Sequence, residues 1–210
     1  MAANPKYIQP AGQPVTLPPA VPSEPIWRLS VRQYHWMTRA GMFTDDDPVE
    51  LLEGWLVSKM PKNPPHRTIT KRIYDSIARL LPVGWYVDSQ EPITTRDSEP
   101  EPDVTIVRGD SEQYFDRHPG PEDLALVVEV ADTTVHRDRT LKKRIYARAG
   151  ISCYWIINLP EKQIEVYTSP SGSGSQPDYQ QRQDYFPTDD LPLVLDGQEI
   201  GRLAVRSLLP

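Results

Sequence analysis

LALVVEVADTT, residues 124–134, is an apolar run of strand length with one acid, Glu129, set inside it. Strands covered on both faces of an α/β sheet read as continuous Val/Ile/Leu runs rather than as alternation. Residues 124–131 therefore predict a central, doubly covered strand. An ionised carboxylate is almost never buried unless it is paired or coordinates a metal, so Glu129 needs a cation or an opening. Alternation along the strand sets Ala125, Val127, Glu129 and Ala131 on one face, where small neighbours leave room for an ion and a substrate.

Upstream, Asp103 follows Pro102 at the start of a short strand, Val104–Val107. Pairing the two strands would bring Asp103 and Glu129 together, and two converging acids call for a cation. Mg²⁺, with Mn²⁺ as a substitute, takes one or two carboxylates and completes its octahedron with carbonyls, waters and phosphate oxygens. Taken singly, Asp103 also reads as an ordinary turn residue, and Glu129 as the exposed end of a strand.

Downstream, a helix is expected from about Asp138 to Ala149, stopped by Gly150. At about 100° per residue, Asp138, Leu141, Lys142, Ile145, Tyr146 and Ala149 share one stripe, which places Lys142 at the margin of the inward face. A lysine beside a metal and a phosphate can orient water and offset charge; its plainer reading is snorkelling at a core edge. Arg137, Arg139, Lys142, Lys143, Arg144 and Arg148 against the single acid Asp138 make this segment locally basic, whether as a solvated face or as a phosphate contact.

Outside this centre, residues 1–26 are proline-rich and read as an extended or disordered arm. Residues 27–210 are expected to form a single domain, with a flexible Gly/Ser loop near 169–178. Ser30 caps a short helix ended by Gly41, VELLEGWLVSKM (49–60) is a hairpin around Gly54, and Ile69, Ile73, Ile77 and Leu80 mark an amphipathic helix after His66. CYWIINL and QIEVYTS form a second hairpin. The histidines lack HxxxH-type metal spacing, and there is neither a glycine-rich phosphate loop nor a nucleophile elbow. Glu50 and Glu53 lie close enough in sequence that either could be merely solvated.

A formal charge of −6 over 210 residues excludes a generally basic nucleic-acid coat, though not a local patch. With one cysteine, no signal-like start and no long apolar segment, the expected setting is cytoplasmic and free of membrane.

Glu50 in VELLEG, His66 after a proline break, Pro102-Asp103, Glu129 in VVEVAD, D138-x-x-x-K142-x-x-x-Y146 and ARAGISCYWIINLPEKQIEVY occur in one order. In that order the chain resembles the Uma family of putative restriction endonucleases, within the PD-(D/E)xK nuclease superfamily. The resemblance covers roughly residues 28–170. It implies an α/β, restriction-endonuclease-like core, a central mixed β-sheet flanked by helices, and Mg²⁺-dependent hydrolysis of DNA phosphodiesters. Position by position, it makes Asp103, Glu129 and the Val130 carbonyl metal ligands and Glu50 an accessory acid. His66 falls beside the phosphate and Lys142 becomes the catalytic lysine. It also implies a homodimer cutting duplex DNA. Two residues after Glu129 stands Ala131 rather than the superfamily lysine, so the lysine comes from the next helix. The alternative is a non-catalytic binding or assembly protein on a nuclease fold, favoured by that missing lysine and by the overall acidity; hydrolysis of RNA or small phosphoesters is a third.

Overall fold

A computed structural model describes residues 25–43 and 47–210; the expected N-terminal arm lies outside them but for its last two positions. The elements run α1 (Val31–Arg39), β1 (Val49–Leu52), β2 (Trp55–Ser58), α2 (Pro64–Ala78), β3 (Trp85–Asp88), β4 (Val104–Arg108) and β5 (Leu124–Ala131). After these come α3 (Val135–Arg137), a π turn (Asp138–Lys142), α4 (Lys143–Ala149), β6 (Cys153–Asn158), β7 (Gln163–Pro170), β8 (Tyr179–Tyr185), β9 (Asp190–Leu195), β10 (Gln198–Ala204) and α5 (Val205–Leu208). Strands β3-β4-β5-β6-β7-β8 form one six-stranded sheet in that order. Only β5 and β6 pair in parallel, so the sheet is mixed, and the connection between them carries α3 and α4.

All eight residues of β5 are buried, as its continuous apolar pattern predicts. On one face, Ile69, Ile73 and Ile77 of α2 pack with Ile106, Leu126, Val128 and Trp155, and the β9–β10 ribbon and α5 complete the cover. On the other, Val127 and Ala131 pack with Ile145 and Tyr146 of the α3–α4 segment, Tyr154, Ile156 and Leu52. Tyr154 and Trp155 are thus core residues. Ala125 was expected beside Val127 and Glu129, but it packs with the first cluster. The cause is a bulge: Ile106 faces Leu126 while Val107 faces Leu124, and one extra residue reverses the alternation.

Helix α2 begins earlier than its spacing suggested. Asn63 caps it by accepting from the His66 amide at 3.0 Å, and Pro64 occupies the first turn, where a missing N–H costs nothing. His66 therefore sits inside the helix rather than ahead of it. The loop around 171–178 is closed at its base, where the Ser171 amide donates to the Asp178 carbonyl at 2.8 Å.

The β1–β2 turn places Glu53 and Gly54 at φ 49° and 80°, the two positive values of a type I′ hairpin. A Cβ on Gly54 would lie 2.7 Å from Arg28 Cβ and 2.9 Å from the Leu29 carbonyl oxygen. Gly54→Ala is expected to cost at least about 1–2 kcal/mol, read from urea unfolding. Wild-type stability in that variant would mean that the 28–29 segment yields freely.

Candidate active site

Extending the β4–β5 register by one pair beyond Val104↔Val128 sets Asp103 against Glu129. The pairing is closed by the Val130 amide, which donates to Asp103 Oδ2 at 2.8 Å. His66 Nε2 lies 3.0 Å from the same oxygen, and the Ser89 hydroxyl donates to the Asp103 carbonyl at 2.9 Å. The backbone and side chain of Asp103 are thus both fixed.

Glu129 is 7 % exposed and has the partners its burial demands. The Tyr146 hydroxyl donates to Oε1 at 2.6 Å, and Lys142 Nζ stands 3.3 Å from that oxygen. Lys142 also donates to Glu50 Oε2 at 2.7 Å, to which the Glu101 amide donates at 3.3 Å. Burial pushes the Glu129 carboxyl up, against the pull of the Lys142 charge and the Tyr146 hydrogen bond. Burial alone would lower the Lys142 ammonium, but Glu129 and Glu50 raise it above the usual lysine range, so it stays charged.

Lys142 is 1 % exposed, not marginal as the stripe implied. The expected helix from Asp138 begins at Val135 and passes through a π turn over Asp138–Lys142. Such turns recur at functional sites because they re-aim side chains; here Asp138 and Lys142 are both buried. Asp138 accepts from the Thr134 hydroxyl at 2.6 Å, and burial raises its carboxyl.

Asp103, Glu129, Val130, Glu50, His66 and Lys142 line one cleft of about 70 Å³, a volume suited to an ion and a few waters. All six residues singled out from the sequence meet there. The sequence leaves Asp138 and Tyr146 without a role, although both stand in the D-x-x-x-K-x-x-x-Y spacing, marks Arg137 only as one cation of a basic run, and gives no local sign of Asn63 and Asp132. Asn63 donates to Asp132 Oδ2, and the Arg137 guanidinium lies 3.6 Å from Glu50. The buried Arg137 Nε has no hydrogen-bond partner among the described residues.

Glu53, weighed beside Glu50 as a solvated acid, is instead buried and bridges Arg144 and Arg148 at 2.6 and 2.8 Å. The basic segment is largely compensated within the chain: Arg139 pairs with Glu165 and Glu161, and Lys143 pairs with Asp178. Its expected free positive face is reduced accordingly.

The donor set fits a hard divalent cation. Two carboxylates and a main-chain carbonyl are oxygen ligands of the kind Mg²⁺ takes, and the hydrogen bonds to each acid converge on one oxygen, Oδ2 of Asp103 and Oε1 of Glu129.

No curated protein matches the chain. A solved structure described as a putative nuclease belonging to DUF820, from Anabaena variabilis ATCC 29413, superposes with a TM-score of 0.57 over 82 % of this chain and 96 % of that one. At 14 % identity that likeness concerns the fold. The family model named Uma2, described as "Putative restriction endonuclease", matches residues 31–205. That span holds the whole cleft and most of the chain, and the chain belongs to the Uma2 family of putative restriction endonucleases.

Proposed function

We propose that this chain is a metal-dependent endonuclease that hydrolyses DNA phosphodiester bonds at the cleft of Asp103, Glu129 and Lys142. The observation that carries this is the meeting of those three side chains, from the start of β4, from β5 and from the π turn, in one cleft with Glu50. Asp103, Glu129 and the Val130 carbonyl would hold Mg²⁺, or Mn²⁺ in its place. The bound ion would supply Lewis-acid polarisation of the phosphate and a more acidic water.

The chain's own residues do the rest. Tyr146 fixes the Glu129 carboxyl, and the Val130 amide fixes that of Asp103. Lys142, kept charged by Glu50 and Glu129, orients the attacking water and offsets negative charge developing on the phosphate. Glu50 is its anchor and the accessory acid of the site. His66, held against Asp103, would stand beside the phosphate.

Lys59, Lys62 and Arg137 line the same cleft and would meet backbone phosphates at its rim, although Lys59 already pairs with Glu101 and Arg137 with Glu50. Phosphate contacts give salt-sensitive affinity without sequence information. Duplex cutting by a homodimer and a cytoplasmic setting belong to the same proposal; no helix among the described residues is long and apolar enough to cross a membrane.

Plasmid nicking in Mg²⁺ is expected for the wild type and is expected to fall at least about 10²-fold in Asp103→Asn, with Mn²⁺ affinity reduced in parallel by calorimetry. Unchanged metal binding in Asp103→Asn and Glu129→Gln would sink the ligand assignment. Metal and DNA binding without cleavage would move the function to a binding or assembly protein, and cleavage confined to RNA would change the substrate.

A further inference from the structure

Three segments distant in the chain bring His35, Glu99 and His118 together on the wall of a second, larger cavity of about 950 Å³. One ligand atom from each lies within 4.8 Å of the other two. His35 Nε2 is 2.5 Å from Glu99 Oε2, and His118 Nε2 is 3.5 Å from Oε1, so two imidazoles approach the two oxygens of one carboxylate. Glu99 is itself 4 % exposed, and its Oε2 also accepts from the Thr94 hydroxyl at 3.1 Å.

Each segment is held by contacts of its own. Ser30 and Gln33 form a capping box that starts the helix carrying His35. The Glu99 amide donates to the Leu51 carbonyl at 2.7 Å, and the Thr94 amide donates to the Pro119 carbonyl at 2.9 Å, next to His118. The convergence is therefore built by the fold rather than by side-chain drift. It also answers a puzzle in α1, a nine-residue helix with no buried side chain. With its inner residues only half-buried, α1 gains from a further tether, because short isolated helices are marginal in water.

We propose that His35, Glu99 and His118 form a second metal site, separate from the Asp103–Glu129 cleft, that binds Zn²⁺ and ties α1 to the body of the domain. Two imidazoles and one carboxylate are a donor set for Zn²⁺ rather than for Mg²⁺, with a fourth position left for water or a ligand in the cavity. Tetrahedral Zn²⁺ with bonds near 2.0–2.1 Å spaces its ligand atoms roughly 3.3 Å apart. The His35–Glu99 and His118–Glu99 separations of 2.5 and 3.5 Å lie on either side of that spacing, and His118, 44 % exposed, has room to adjust. The Thr94 hydroxyl is an outer partner of the kind that orients a ligating carboxylate.

The test is titration of the chelator-treated full chain with Co²⁺, whose visible absorption reports tetrahedral nitrogen and oxygen ligation, followed by displacement with Zn²⁺. One equivalent of tetrahedral Co²⁺, read from the intense visible bands that six-coordinate oxygen ligation lacks, is expected in the wild type and equally in Asp103→Asn. Affinity is expected to fall at least about tenfold in His35→Ala and in His118→Ala; His118 is exposed enough that its loss leaves the fold in place. Hydrogen exchange of the α1 amides is expected to slow on adding Zn²⁺ to the wild type and to stay unchanged in His118→Ala. Absence of tetrahedral Co²⁺ binding, or binding that survives His118→Ala and is lost in Asp103→Asn, would overturn the site. Equal α1 exchange with and without the ion would overturn its tethering role.

Discussion

Lys142→Met is expected to lower plasmid cleavage by about 10²–10⁴-fold, the range for losing a positioned proton-handling group, and to destabilise the fold by about 3–5 kcal/mol at neutral pH. The second effect follows from what the lysine touches. Its ammonium lies 2.7 Å from Glu50 and 3.3 Å from Glu129, and all three groups are buried. Removing one member of a buried ion pair leaves its partners uncompensated, which costs far more than the pair itself is worth. Methionine fills a similar volume, so the loss registers charge rather than a cavity. Mg²⁺ is then expected to raise the urea midpoint of Lys142→Met more than that of the wild type, because a cation enters a site left with unbalanced acids. Urea unfolding with and without Mg²⁺, beside single-turnover nicking, measures all three outcomes. Wild-type cleavage by Lys142→Met would remove the lysine from the chemistry, and wild-type stability would mean that its contacts with Glu50 and Glu129 contribute nothing to the fold.

Much of this centre was legible because short-range patterns carry it. The unbroken apolar run around Glu129 marks a strand covered on both faces, and the four-residue steps from Asp138 through Lys142 to Tyr146 mark a buried helical stripe. Three things escaped, each for a physical reason. The bulge lies at Ala125 of β5, opposite the step from Ile106 to Val107, and has no local signature among the apolar residues Leu124–Val128, so alternation alone puts Ala125 on the wrong face. The π turn changes the angular step over five residues, which 100° spacing cannot anticipate, and so Lys142 lies deeper than predicted. His35 and Glu99 are 64 positions apart and meet only through tertiary folding, so no local histidine spacing marks them. The same holds for the cations of 137–148: their partners, Glu53, Glu161, Glu165 and Asp178, come from other elements, and a charge run read alone looked more open than it is.

Glu165→Gln is expected to flatten the acid dependence of the fold between about pH 4.5 and pH 2 and to destabilise it at neutral pH. Glu165 is fully buried in the sheet opposite Ile156. Burial pushes its carboxyl up, but hydrogen bonds from Arg139, Tyr167 and Asn158 and the charge of Arg182 overcome that and hold it at about 2. The contacts are short: the Arg139 guanidinium meets it at 2.5 Å, the Tyr167 hydroxyl donates at 2.6 Å and the Asn158 amide at 2.8 Å. A folded value below the unfolded one near 4.5 means the unfolded chain binds the proton more tightly. The stabilisation is therefore complete above about pH 4.5 and is lost as pH falls through the folded value near 2. A displacement from 4.5 to about 2 corresponds to on the order of 3 kcal/mol. Glutamine keeps the shape and can accept from Asn158 or Tyr167, but it leaves Arg139 facing a neutral group. Because Arg139 lies on the π turn, three residues before Lys142, losing its anchor is also expected to loosen that turn. Urea midpoints of the wild type and Glu165→Gln across this pH range test the linkage, since parallel curves for the two proteins would place the acid-labile stability in other carboxylates.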